Sequence, residues 1–171
     1  MSANGVYKPV IISGVLLGLG LGGFFDGIVL HQILQWHHML TSAGYPATSV
    51  ENLEINTLAD GLFHAATYVF TSLGLLGLWR ALQHKEVTQS SRVLIGAILV
   101  GWGAFNVVEG IINHHILGIH HVRTGVPNEA LWDIGFLVCG AIMFSGGWWL
   151  IRSTKVTAAP PTTGRIEQPS S

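Results

Sequence analysis

Residues 14–39 read GVLLGLGLGGFFDGIVLHQILQWHHM, and residues 97–122 read AILVGWGAFNVVEGIINHHILGIHHV. Laid over one another without a gap, at a constant offset of 83 residues, the two stretches share ten identities in 26 positions. Gly18 falls on Gly101, Gly20 on Gly103, Gly27-Ile28 on Gly110-Ile111 and His31 on His114. Ile33-Leu34 falls on Ile116-Leu117 and His37-His38 on His120-His121, while Asp26 meets another carboxylate, Glu109. A stretch that repeats its polar residues as faithfully as its apolar ones points to internal duplication. The likeness continues downstream, where Gly44-Tyr45-Pro46 echoes Gly125-Val126-Pro127 and Leu58-Ala59-Asp60 echoes Leu131-Trp132-Asp133. The expectation is a doubled helix hairpin, with repeat one over about 10–80 and repeat two over about 93–152.

Hydropathy supplies the environment. Only 10% of residues are charged, against roughly 25% in soluble domains. The apolar residues fall into four blocks, about Pro9–Trp36, Leu58–Trp79, Val93–Asn113 and Leu131–Ile151. Each is close to the ~20 residues that cross a ~30 Å hydrocarbon layer. The fold class is therefore all-α, a four-transmembrane-helix bundle of two tandem parallel hairpin repeats occupying residues 1–152. Two helices per half make both halves enter the lipid bilayer in the same sense, related by a two-fold axis along the membrane normal. The first block is longer than the 7–15-residue core of a signal peptide and has no small-x-small cleavage site, so it reads as a permanent helix. A net charge of −1 gives nucleic acid no purchase, and the single Cys139 reads as a buried thiol. Residues 153–171, rich in Pro, Thr and Ser, read as a disordered tail.

Seven of the eight basic residues, Lys8, Arg80, Lys85, Arg92, Arg152, Lys155 and Arg165, flank the N-terminus, the middle loop and the C-terminus. The positive-inside rule makes those regions cytoplasmic and leaves Arg123 alone in the outward loops. Both termini are therefore expected inside.

An ionisable side chain at the bilayer centre costs at least ~2.5–3.5 kcal/mol unless it faces the interior and finds a partner. With straight helices, three layers result. The mouth holds His37, His38, His120, His121, Asp60 and Asp133; one level down stand His31, His64, His114 and His115; deepest are Asp26 and Glu109. A polar stripe of Asp60, His64, Thr67, Tyr68 and Thr71 should look into the bundle from the second helix. His64 has no counterpart, Leu137 standing in its place, so the second helix should contribute more than the fourth. The His doublets carry less weight, because water and headgroups can solvate them, and adjacent helical residues point about 100° apart. A lone intramembrane histidine is more often a packing residue than a ligand, but these histidines, backed by carboxylates, point to a metal site. Histidine and carboxylate without thiolate suit copper or iron, and then zinc. The alternative cofactor is haem b, with two of His31, His64 and His114 as axial ligands.

The runs GFFDGIVLHQILQWHHML, LADGLFHAATYVF, NVVEGIINHHILGIHHVR and LWDIGFL resemble the bacterial domain-of-unknown-function family 2243 of predicted membrane proteins, over nearly all four helices. The resemblance implies a location in the bacterial inner membrane but no activity. Some members accompany a membrane protein of cytochrome oxidase copper assembly, which tilts the metal preference toward copper and suggests an envelope redox or oxidase-assembly partner. Four readings remain open: metal handling or metal-based redox chemistry, haem electron transfer, ion or proton transport through Asp26 and Glu109, and a structural role. A homo-oligomer also stays open. Transport lacks ionisable groups in the cytoplasmic half to complete a path.

Overall fold

The computed structural model describes residues 3–84, 87 and 89–154. All regular structure in it is helical: α1 (Ala3–Phe24), α2 (Val50–Gln83), α3 (Ser91–Glu109) and α4 (Glu129–Arg152). Two π-helical segments, Phe25–Ile33 and Gly110–Ile116, prolong α1 and α3. All four spans are long and apolar enough to cross a membrane. Most of the proposed tail lies outside the described residues, as do Lys85, Lys155 and Arg165.

The helices form a row rather than a closed square. α1 packs against α3 at the centre, α2 packs on α1 and α4 packs on α3, while α2 and α4 do not touch. In the most apolar stretches of α1 and α3, 50% and 44% of residues are buried, against 11% in α2 and α4, so the flanking helices present most of their surface to lipid. Glycine permits the close central approach. A Cβ at Gly18 would strike the backbone of Ile98 and Gly101, and one at Gly101 would strike that of Val15 and Gly18. Two positions on, Gly20 lies against Thr67 and Thr71 of α2, and Gly103 against Gly140 and Phe144 of α4. Small residues on both faces of a helix are what packing in lipid requires, since no hydrophobic force draws spans together there.

Aromatic–cation pairs mark the two membrane surfaces. Arg123 lies 5.1 Å from the rings of both Trp36 and Trp132 at one end, and Arg92 and Arg152 lie over Trp149 and Trp148 at the other. Such rings favour the headgroup level. α2 is 34 residues long, about 50 Å at 1.5 Å per residue, so it extends beyond the hydrocarbon. Ser49 and Ser90 cap α2 and α3 by accepting from the N–H of Asn52 and Val93. Cys139 is exposed rather than buried, its Sγ 4.0 Å from Met143 Sδ. Tyr68 is also exposed, so the polar stripe of α2 does not keep to one inward face.

Candidate metal centre

The cluster begins with a departure from α-helical winding. On an α-helix, residues five apart point about 140° away from each other. The π-helix bonds i to i+5 and brings such residues onto one face. In both π-helical segments the affected pair is a carboxylate and a histidine. His31 Nε2 lies 3.2 Å from Asp26 Oδ2, and His114 Nε2 lies 3.2 Å from Glu109 Oε1. Each contact is short enough for electrostatic attraction without the alignment of a hydrogen bond, so these imidazole nitrogens and Asp26 Oδ2 remain unbonded. The segments close alike, Leu34 N donating to Val29 O and Leu117 N to Ile112 O, both at 2.8 Å.

Past these segments the chain leaves the helix and turns back inward. His37 and His120 thus come from connections rather than helices, and both are buried, with 2% and 0% exposure. One histidine of each doublet is thus turned inward, while His38 and His121 stay partly exposed. Their rings stack 4.6 Å apart at 10°, and His37 also lies 4.3 Å from the ring of His31. Each donates Nδ1–H across the midline, His37 to Val122 O at 2.9 Å and His120 to Met39 O at 3.0 Å. Burial, followed by the charges His120 and His31 can carry, pulls His37 from its ordinary 6.5 down to about 2, so the ring is neutral.

The flanking helices complete the ring of acids. Asp60, 1% exposed, accepts from His31 Nδ1 and the Met39 N–H on one oxygen and from His38 Nδ1 on the other, at 2.8–2.9 Å. Asp133, 2% exposed, accepts from the Val122 N–H at 2.9 Å and His121 Nδ1 at 2.7 Å, with His114 Nδ1 3.5 Å away. Neither acid sits at an open mouth. The layered picture fails because the helices are not straight: the π-helical segments turn the histidines onto new faces and the connections drop inward.

Two expected members stand apart. His64 lies against Gly27, its Nε2 buried without a partner, and packs near Phe24 and Phe63 rather than another histidine. His115 is exposed and gives Nδ1 to Gly110 O at 2.8 Å. Sequence reasoning missed the carbonyls of Met39 and Val122, whose equivalence at the 83-residue offset was a usable signal. It also missed Asn56, fully buried, which accepts from Leu40 N and donates to Tyr45 O, tying the first outer connection to α2.

A model of the family described as predicted membrane protein (DUF2243) matches residues 13–154. The chain belongs to that family. No curated protein and no solved structure matches it.

Ligand geometry can be tested directly. Two atoms each about 2.1 Å from one ion, at octahedral or tetrahedral angles, stand roughly 3.0–3.4 Å apart. Of the three buried Nε2–carboxylate contacts, those of His31 and His114, at 3.2 Å, fall in that range, while that of His120 to Glu109 Oε1, at 2.8 Å, is a hydrogen bond instead. Donor atoms of His31, His37 and His120 lie within 4.8 Å of one another, as do those of Glu109, His114 and His120. A recess of about 450 Å³ with mixed polar and apolar walls reaches His37 and His38 from one side, and a mainly apolar groove of about 320 Å³ reaches Glu109 and Asn113 between α1, α2 and α3.

Proposed function

We propose that this membrane protein binds transition metal, copper or iron in preference to zinc, in a buried His/carboxylate centre and uses it in metal handling or redox chemistry. One observation carries the reading: three imidazoles each lie between two acceptors. His31 faces Asp60 and Asp26, His114 faces Asp133 and Glu109, and His120 faces Met39 O and Glu109. A neutral imidazole carries a single N–H, so one side of each ring lacks a proton to share. Either the rings are imidazolium or a cation serves the Nε2 side. Crowding disfavours imidazolium at His120, which lies 4.9 Å from His114, 4.6 Å from His37 and 5.8 Å from His31, whereas the two carboxylates facing each of His31 and His114 would stabilise one there. A metal ion removes the conflict, and each ring then gives its other N–H to a carboxylate or carbonyl, the usual arrangement of a ligating histidine. The same crowding leaves no slot for a porphyrin among these rings, which favours a bare ion over haem b.

The basic-residue count supports cytoplasmic termini in a bacterial inner membrane, with the centre in the outer half of the bilayer. The recurrence of the same contacts at the 83-residue offset supports two tandem hairpin repeats, and a redox or oxidase-assembly partner in the envelope fits that location. The test is purification in mild detergent, followed by metal analysis and an optical spectrum on the wild type and on His31→Ala and His120→Ala. Stoichiometric copper or iron that falls in both variants is expected. Protein that stays metal-free after reconstitution with copper(II) and iron(II), and as stable as before, overturns the reading.

A further inference from the structure

We propose that the centre holds two metal ions in adjacent sites, one at Asp26, His31 and His37 and the other at Glu109, His114 and His120. The inference rests on the metal reading above and adds a second ion. All three members of the first set recur in the second at the same offset of 83 residues. Each set combines a carboxylate and a histidine from one π-helical segment, 3.2 Å apart in both cases, with a histidine from the connection that follows; the donors of the second set lie within 4.8 Å of one another, whereas around the first it is His31, His37 and His120, rather than Asp26, whose donors do so. Each set also keeps unbonded, buried ligand atoms: Asp26 Oδ2, His31 Nε2 and His37 Nε2 in the first, Glu109 Oε2 and His114 Nε2 in the second. The stacked rings of His37 and His120, 4.6 Å apart, hold the sets side by side.

Charge is compatible with the same number where every imidazole is a neutral ligand. Asp26, Asp60, Glu109 and Asp133 are at most 6% exposed, and among the described residues none of them pairs with a lysine or arginine. Four anions inside the bilayer need compensation, because unpaired buried charge is heavily penalised. With neutral imidazoles, one dication leaves a net charge of two minus and two dications leave none. Paired ions a few ångströms apart are also a recurrent way of building sites from facing helices.

The experiment is saturation of the full chain in detergent with copper(II) and, separately, cobalt(II), removal of loose metal on a chelating resin, and metal-to-protein analysis. Two ions per chain are expected in the wild type and one in each of His31→Ala and His114→Ala. Spin quantitation provides a readout that needs no variant: the integrated copper(II) resonance should fall below the copper content in the wild type, because neighbouring ions couple. Saturation at one ion per chain overturns the two-ion proposal and leaves the metal reading standing, whereas no retained metal removes both. Two ions with a full, uncoupled copper signal overturn the adjacency.

Discussion

Asp60 is where the metal reading can be pressed hardest, because it orients ligands without being placed among them. Its two oxygens accept from His31 Nδ1, His38 Nδ1 and the Met39 N–H. Asp60→Ala removes both acceptor oxygens and with them all three hydrogen bonds. His38 is partly exposed and can turn to water, but His31 and the Met39 amide are left as buried donors. At about 1–3 kcal/mol for each buried donor without a partner, the loss of stability is about 2–6 kcal/mol. The untethered His31 ring should also lower metal affinity about 10–100-fold, the usual effect of removing a ligand's hydrogen-bond partner. Asp60→Asn separates the two consequences. Its amide oxygen can serve His31 and Met39, and its NH2 can donate to His38 Nδ1 in the other tautomer, so it should fall between wild type and Asp60→Ala. Competition titration against a chelator, with thermal unfolding on the same samples, reads both quantities. A folded Asp60→Ala variant whose metal affinity stays within twofold of wild type would refute the role given to this acid.

Other perturbations probe other parts of the structure. A histidine whose folded pKa lies below its unfolded value keeps its full stability above the unfolded pKa, here 6.5, and loses it as pH falls toward the folded value of about 2. The metal-free protein should therefore lose about 1.4 kcal/mol per pH unit below 6.5, about 2 kcal/mol at pH 5, through His37 alone. In His37→Gln that share of the slope should vanish from unfolding curves taken between pH 7.5 and 5. Gly18→Ala should destabilise by at least about 1–3 kcal/mol in thermal unfolding, because the new methyl meets α3 backbone. Gly61→Ala, with open space around its Cβ, should be neutral or mildly stabilising. His64→Ala should leave metal stoichiometry and affinity unchanged, and loss of metal in that variant would restore His64 to the centre.

The spans and the convergence of their histidines were legible because lipid imposes simple rules: a fixed thickness, a penalty on charge and a preference for small residues at close contacts. The pairing of His31 with His114 and of Asp26 with Glu109 came directly from the 83-residue offset. Which way the side chains point was not legible. A uniform 100° per residue separates Asp26 from His31 and gives no reason to join them, whereas one run of π-helical turns joins them. Hydropathy is equally silent about His37 and His120, because a polar doublet after an apolar block reads as a surface whether the chain leaves the membrane there or folds back into it. His64 shows the opposite error. Its depth matched the other histidines, but depth alone does not bring a side chain across the gap between helices.

The crossing of the two outer connections gives the centre a mechanical role as well as a chemical one. His37 reaches Val122 O in the opposite half and His120 reaches Met39 O, while Ser42 N and Thr124 N bond across to Ile119 O and Trp36 O. Met39 and Val122, which provide those carbonyls, use their own N–H groups to bind Asp60 and Asp133. Each half therefore holds a histidine of the other through a residue whose amide is fixed by an acid of its own flanking helix. An ion at either set pulls on this whole loop of bonds, so metal binding and closure of the outer connections should be one event. Hydrogen exchange makes that concrete. The amides of Met39, Ser42, Val122 and Thr124 should slow together when copper(II) is added. If the two connections respond separately, the halves bind independently and the crossing hydrogen bonds carry no coupling.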